Sequence, residues 1–175
     1  MSVRLVTPRL VVREYTAADL GDVAEILADP EVFWWATEPY TRAGARQWLA
    51  DEMALMGSDG IGRCAVVLRQ TGKVIGGAGL VRRDLATGPE IELGYHLHRG
   101  FWGQGYATEA GAACLAFARE GAMRRVISLI YIDNPRSAAV ARRLGMKPER
   151  VLEWAGLPHR LWAIEFDYPP ALRER

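Results

Sequence analysis

The sequence has few cysteines, little net charge and no long apolar run. Its two cysteines, Cys64 and Cys114, both lie in apolar segments, which indicates buried reduced thiols and excludes a disulfide framework. A net charge of +1 argues against general electrostatic binding to nucleic acid, which needs clustered lysines and arginines. No stretch has the length of a membrane span, and the N-terminus lacks the apolar core of a secretion signal. We therefore expect a cytoplasmic protein with neither nucleic acid nor membrane as a partner.

Half of the 175 residues are hydrophobic, which suits one domain spanning residues 1–175. Apolar runs typical of strands alternate with helical patterns along this chain. The predicted strands are residues 9–14, 64–68, 74–81, 90–98, 126–132, 151–154 and 161–166. Helices are predicted over residues 17–28, after Thr41, over 106–120 and over 135–144.

A pair of glycines separated by one residue, Gly103 and Gly105, follows a predicted strand and precedes a predicted helix. Glycine accepts a positive φ and lets neighbouring N–H groups converge, and the helix adds unpaired donors at its N-terminus. This arrangement is typical of a phosphate or pyrophosphate site. It is not a P-loop, because Tyr106 and Ala107 stand where Lys and Ser or Thr are required. It is not a dinucleotide loop either, because Thr108 occupies the place of a third glycine.

The strand before these glycines alternates with a period of two residues. Ile91, Leu93, Tyr95 and Leu97 share one face, and Glu90, Glu92, His96 and His98 share the other. The order strand, loop, helix, strand implies a parallel crossover, with the glycine loop at the carboxyl end of its strand.

Three motifs follow one another along the second part of the chain. They are Glu92-Leu93-Gly94-Tyr95, then Phe101 through Ala110, then Asn134-Pro135-Arg136-Ser137 running to Arg143-Leu144-Gly145-Met146. Together with an opening strand at residues 7–13, they resemble the GNAT superfamily of N-acetyltransferases, in its RimJ/RimL-like, ribosomal-protein N-acetyltransferase branch. One position departs from the family pattern: Gly100 stands where the family commonly has Gln or Arg, three residues before the first glycine of the loop.

This resemblance implies a GNAT fold of the α+β class. Its central sheet is mixed and mostly antiparallel, with about seven strands splayed between the fourth and the fifth, and about four helices flank it. It also implies acetyl-CoA as cofactor and CoA as product, with the pyrophosphate on the backbone of residues 101–106 and the pantetheine arm between strands 92–98 and 126–132. The implied cofactor-binding residues are Tyr95, His96, Leu97, Phe101, Trp102, Gly103, Gln104, Gly105, Tyr106, Ala107, Asn134, Ser137 and Arg143.

Direct acetyl transfer needs a neutral amine, and a base that removes the proton as the bond forms assists it. Glu92 is the first candidate for this base, and His96 on the same face is the second. An ordinary carboxylate at Glu92, paired with Arg82 or Arg83, is the alternative interpretation. The resemblance implies that Ser137 protonates the departing thiolate. His96 and His98 also form a His-x-His pair, but no other His or Cys stands at ligand spacing, so no metal is expected.

An aromatic cluster at Phe33, Trp34 and Trp35 is either the cover of a core edge or one wall of an acceptor pocket. On the second interpretation Trp34, Trp35 and Glu92 contact the acceptor. The predicted function is acetyl transfer from acetyl-CoA to a primary amine, with the N-terminal α-amine of a protein or peptide as first choice. A small-molecule amine, such as an aminoglycoside, a polyamine or an amino-acid-like compound, is one alternative. A non-catalytic acyl-CoA sensor is the other, and the oligomer is expected to be a monomer or a homodimer.

Overall fold

The computed structural model describes residues 3–34, 36 and 38–167. The strands in this part of the chain are β1 (Arg4–Val6), β2 (Leu10–Arg13), β3 (Arg63–Leu68), β4 (Val74–Leu85), β5 (Gly88–Leu97), β6 (Arg125–Tyr131), β7 (Lys147–Trp154) and β8 (Leu157–Glu165). The helices are α1 (Leu20–Leu27), α2 (Arg42–Asp59), α3 (Tyr106–Glu120) and α4 (Pro135–Arg143). Within the described ranges, no helix combines the length and the apolar character that crossing a bilayer requires.

The strands form one sheet in the order β1-β2-β3-β4-β5-β6-β8-β7. Neighbouring strands run antiparallel except β5 and β6, which are parallel and are joined by the α3 crossover. This confirms the mixed, mostly antiparallel sheet with its four helices. Strand β1 is an addition to the predicted set, because three residues at a sheet edge are too short for an alternating pattern to show. With β1 counted, the fourth and fifth predicted strands become β5 and β6.

The ladder between β5 and β6 contains a single residue pair, Glu92 with Ile127. By contrast, β5 pairs with β4 along its whole length, from Gly88 to Leu97. Beyond the Glu92–Ile127 pair, β5 and β6 therefore diverge and leave an opening in the sheet. The predicted splay is confirmed at the predicted pair of strands.

The two faces of the sheet bury separate hydrophobic clusters. Leu93, Ala110 and Cys114 belong to the cluster on the α3 side, and Leu27 and Leu49 belong to the one on the side of α1 and α2. Cys114 and Cys64 are buried free thiols, as predicted, and burial raises the pKa of each to about 12. In β5, odd-numbered residues such as Leu93 therefore face α3, and even-numbered residues face the side of α1 and α2.

Capping side chains begin two of the helices where the sequence predicts them. Thr41 Oγ1 accepts the N–H of Gly44 at 3.1 Å, and Asn134 Oδ1 accepts the N–H of Ser137 at 3.0 Å. The closing hairpin differs from the prediction, because β8 begins at Leu157 instead of after Pro158. The turn consists of two residues only, Ala155 at φ 51° and Gly156 at φ 76°, a conformation that matches the twist of the flanking strands.

Candidate active site

A cleft of about 430 Å³ lies where β5 and β6 diverge. Its wall carries aromatic rings from several separate parts of the chain, namely Phe33, Trp34, Tyr40, Trp48, Tyr95, Tyr131 and Trp154. The polar and charged side chains that share the wall are Arg63, Arg83, Glu92, His96, Ser128, Asn134, Ser137 and His159. A largely aromatic cleft with few polar groups at defined places is typical of small-molecule and cofactor sites.

The backbone of β5 presents one residue to the opening. The carbonyls of Leu93 and Leu97 both point away from β4, since they accept hydrogen bonds from Ser128 Oγ at 2.7 Å and Trp102 Nε1 at 2.8 Å. Alternate residues of a strand direct their N–H and C=O groups to the same side. Tyr95 lies midway between these two leucines, so its N–H and C=O face the gap. An extended chain can pair with Tyr95 as an added strand would.

The loop after β5 ends in two glycines with left-handed backbone, Gly103 at φ 75° and Gly105 at φ 82°. In the described part of the chain, the N–H groups of Gly103, Gln104 and Gly105 have no hydrogen-bond acceptor. A Cβ at Gly103 would meet no atom within 4 Å, so the space above the loop is open. These donors, with the first N–H groups of α3, form a set that suits a diphosphate.

Two residues of the predicted phosphate-binding stretch use their N–H groups within the loop. The N–H of Phe101 donates to the carbonyl of His98, and the N–H of Trp102 donates to the carbonyl of Arg99. The unpaired donors therefore begin at Gly103. The indole of Trp102 instead contacts Arg136, whose guanidinium carbon lies 4.7 Å from the ring centroid.

Arg9, which precedes β2, fixes the loop from the other end of the chain. Its Nε pairs with Glu109 Oε2 at 2.6 Å, and its Nη1 donates to the carbonyl of Gln104 at 3.0 Å. The guanidinium also lies 4.3 Å from the centroid of the Tyr106 ring. Burial alone would raise the pKa of Glu109, but hydrogen bonds from Thr7 and Arg9 outweigh it and lower that pKa. We refer to Arg9, Glu109 and Thr7 as the loop clamp.

The N-terminus of α4 forms the side of the cleft nearest to Tyr95. Asn134 uses its Oδ1 as the helix cap, which leaves its Nδ2 group for a ligand. The Tyr95 hydroxyl donates to the carbonyl of Ser137 at 2.9 Å, and burial raises the pKa of this phenol. Tyr95 thus fixes the first turn of α4 against β5, and Ser137 lines the cleft beside it.

Glu92 lies at the last backbone pair before the strands diverge, and its side chain lines the cleft. Its Oε2 accepts from Arg83 Nε at 2.5 Å, so Arg83, not Arg82, is its ion-pair partner. The guanidinium of Arg83 also lies 5.6 Å from the centroid of the Trp154 ring. Oε2 is therefore held in place, and Oε1 is the oxygen through which Glu92 can accept a proton.

His96 lies on the same face of β5 as Glu92 but in an aromatic environment. Its ring packs edge-on against Phe33 and Trp48, with centroid separations of 5.0 and 5.9 Å. Burial lowers the pKa of His96 to about 3, and the charge of Arg63 contributes to this lowering. The imidazole is therefore neutral at pH 7 and a weak base.

Three glycines of β4, Gly76, Gly77 and Gly79, make room for this arrangement. A Cβ at Gly77 would lie 2.5 Å from the Tyr15 hydroxyl and 2.7 Å from His96 Cε1. A Cβ at Gly76 or Gly79 would collide with neighbouring backbone. Close approach of β3, β5 and the Tyr15 side chain explains all three glycines.

The structure brings six of the predicted site residues together in the cleft. Glu92, Tyr95, His96, Asn134, Ser137 and Trp34 all line the cleft, and Trp34 packs on Tyr131 at a centroid distance of 4.7 Å. Residues 101–107 follow β5 after an interval of three residues, continue into the first turn of α3 and lie outside the cleft wall. Arg143 is exposed at the opposite end of α4, about 12 Å along the helix from its N-terminus. Trp35 falls outside the described residues.

Other residues of the site carry no signal in the sequence alone. Arg63, Trp48, Trp154 and His159 enter the cleft through tertiary packing, and none of them belongs to a recognisable motif. Among the described residues, no three His, Cys, Asp or Glu side chains are clustered so that they could hold a metal ion.

Three comparisons with known proteins all identify acetyltransferases. Residues 9–147 match the family model described as "Acetyltransferase (GNAT) domain". The uncharacterized N-acetyltransferase p20 of Bacillus licheniformis is 27% identical over 153 residues, which cover 85% of this chain and 84% of that protein. An acetyltransferase crystal structure from Agrobacterium tumefaciens superimposes with a TM-score of 0.79 at 27% identity, covering 94% of this chain and 95% of the other.

The fold is also that of RimL, a ribosomal α-N-protein acetyltransferase solved in complex with coenzyme A. Here the TM-score is 0.79 at 18% identity, with 94% of this chain and 99% of RimL covered. GNAT acetyltransferases use acetyl-CoA, and the free N–H groups after β5 and the gap beside Tyr95 fit a diphosphate with an extended arm. The open sheet and the glycine loop with Gly103 and Gly105 are consistent with the family match over residues 9–147. The chain therefore belongs to the GNAT family of acetyltransferases.

Proposed function

We propose that this acetyltransferase acetylates the N-terminal α-amine of a protein or peptide. The observation that carries the choice of acceptor is the charge of the cleft, whose wall has two guanidinium groups, Arg63 and Arg83, and one carboxylate, Glu92. Polyamines and aminoglycosides are polycations and need an acidic pocket, which this wall does not provide. The likeness of the fold to RimL supports the same choice.

Acetyl-CoA supplies the acetyl group as an activated thioester when bound. The N–H groups of residues 103–105 and the first turn of α3 bind its diphosphate, and the backbone of Tyr95 pairs with its arm. The N–H of Tyr95 is also the donor placed to polarise a carbonyl in the gap. Asn134 Nδ2 and Ser137, at the start of α4, complete this side of the cleft.

Glu92 accepts the proton that the amine loses, directly or through a water. An α-amine with a pKa near 8 is neutral in about one molecule in ten at pH 7, against about one in a few thousand for lysine. An N-terminal amine therefore needs little help, and one carboxylate oxygen suffices. Glu92 is preferred to His96 because its carboxylate lies where β5 and β6 diverge, whereas the imidazole packs edge-on against Phe33 and Trp48. We assign Ser137 Oγ as the group that passes a proton to the departing thiolate while it takes one from a water or from the acetylated amine, with Tyr95 holding its position.

The test is release of free thiol from acetyl-CoA in the presence of defined amines. Short peptides with varied first residues are compared with spermidine, an aminoglycoside and an N-terminally blocked peptide that keeps a lysine. We expect turnover with free N-termini and none with the blocked peptide. Turnover confined to the small polycations would overturn the proposal, and acetyl-CoA binding without release on any amine would indicate the sensor.

A further inference from the structure

The two guanidinium groups of the cleft differ in the carboxylate that each one pairs with. Arg83 pairs at 2.5 Å with Glu92, which itself lines the cleft, whereas the partner of Arg63 lies outside the cleft wall. Arg63 contributes Nη1 to Glu52 Oε1 at 2.7 Å, and this is the hydrogen bond that its guanidinium makes within the described chain. A guanidinium has five N–H donors in a planar fork, so most donors of Arg63 are available.

Arg63 is held in place by an ion pair with Glu52 on the side away from the cleft. Glu52, on α2, is 5% exposed, and its Oε2 has no hydrogen-bond partner among the described residues. The Arg63 side chain is 26% exposed and lines the cleft. A buried carboxylate therefore anchors one edge of the guanidinium, while the remainder is accessible from the acceptor side. Anchoring reduces the conformational entropy that a long side chain loses on binding.

The Arg63 side chain passes over a glycine of β5. A Cβ at Gly94 would lie 3.7 Å from Arg63 Nε, in ordinary van der Waals contact, which places this nitrogen beside Gly94. Gly94 is two residues from Glu92 and on the same face, which places it about 7 Å along the strand. An amine at Glu92 and an anionic oxygen at Arg63 would therefore be separated by the length of one or two residues of a peptide.

We propose that Arg63 selects the acceptor by binding a carboxylate within two residues of the amine, so that acidic N-termini are the preferred substrates. A carboxylate matches the planar guanidinium through two parallel hydrogen bonds, and the aromatic wall around it strengthens a charge pair relative to water. This inference rests on the proposed function and gives it a substrate class. It uses a side chain outside every motif that identifies the family.

The experiment compares isosteric peptides in the thiol-release assay. Pairs differ only by Asp against Asn at the first position, or at the second position after Ser, and a Ser-Lys peptide completes the set. For the wild type we expect kcat/KM to be about tenfold higher with Asp than with Asn, as one charge-assisted hydrogen bond provides. In Arg63→Gln this ratio falls to within about twofold, and in Arg63→Lys an intermediate ratio is retained.

Arg63→Gln leaves Glu52 buried without its partner, so the double variant Arg63→Gln with Glu52→Gln is measured in parallel to preserve folding. Arg46→Gln, at an exposed position of α2, is the matched control and keeps the wild-type ratio. Equal kcat/KM for Asp and Asn peptides in the wild type overturns this inference alone. So does an equal loss on all peptides in the double variant, which would make Arg63 structural. Absence of turnover on every peptide would instead overturn the proposed function.

Discussion

At the scale of single residues, the environment separates two candidate bases that the sequence places side by side. Glu92 and His96 share one face of β5, and the sequence alone leaves both open. In the structure His96 lies against Phe33 and Trp48, while Glu92 is held by Arg83 at the point where β5 and β6 begin to diverge. The contacts that make this distinction come from residues far along the chain, which periodicity cannot reveal.

Glu92→Gln is expected to lower kcat by about 100-fold, the typical contribution of a positioned general base. The affinity for acetyl-CoA should change little, because the proposed cofactor contacts lie on Tyr95 and the glycine loop. Thiol release gives kcat, and calorimetric titration gives the affinity. Glu153→Gln, the same substitution at an exposed position of β7, is the control. Unchanged turnover in Glu92→Gln would remove this carboxylate from the mechanism.

His96 makes the stability of the protein depend on pH. Its pKa is lowered by burial from an ordinary value near 6.5 to about 3, so between these values the unfolded chain binds the proton and the folded one does not. The free energy of unfolding therefore decreases as the pH falls from 6.5 toward 3. We expect His96→Gln to lose less Tm than the wild type between pH 7 and pH 4.5. Identical pH dependence of Tm in the two proteins would contradict this account.

At the scale of elements, the sequence predicts most strands and helices, while the contacts between elements are not readable from it. Apolar alternation identifies β5, and the glycine pair marks the start of α3. The loop clamp, however, joins Arg9 to Glu109 across 100 positions, and no local pattern connects them. Strand β1 and the turn at Ala155 were missed because three residues and a non-glycine at positive φ give no recognisable pattern.

Loss of the loop clamp should weaken cofactor binding without affecting the chemical step. In Arg9→Ala the ion pair to Glu109 and the hydrogen bond to Gln104 disappear, so the donor loop must be ordered when the diphosphate binds. We expect KM for acetyl-CoA to rise by about tenfold, roughly the effect of one charge-assisted hydrogen bond, with kcat within about twofold. Arg9→Lys should restore part of the affinity. A fall in kcat at unchanged KM would argue against this role.

One glycine of the sheet and one of helix α2 should respond oppositely to a methyl group. A Cβ at Gly79 would lie 2.1 Å from the carbonyl of Gly62, so Gly79→Ala is expected to destabilise by about 3 kcal/mol. Gly57, within α2, has no atom within 4 Å of its Cβ position, and Gly57→Ala should stabilise by about 0.5–1 kcal/mol. Denaturant unfolding measures both, and a neutral Gly79→Ala would contradict the close packing of β3 on β4.

At the scale of the whole molecule, the opening divides the sheet into two parts. One consists of β1 to β5, and the other consists of β6, β8 and β7. The two parts share one backbone pair, Glu92 with Ile127, and are otherwise joined by side-chain contacts, such as the hydrogen bond from Ser128 to the carbonyl of Leu93. A bound arm that pairs with Tyr95 would add backbone contacts at the divergence. We expect acetyl-CoA at 100 times its Kd to raise the free energy of unfolding by about 2.7 kcal/mol. Amide exchange at Tyr95 should slow on binding, and unchanged exchange there would place the arm elsewhere.

The narrow connection between the two parts of the sheet also has a consequence for the lifetime of the protein. Local opening at β6 would expose apolar residues of the hairpin β7–β8 to proteases, and occupancy of the gap opposes that opening. Proteolysis of the purified protein should therefore be slower with acetyl-CoA bound than without it.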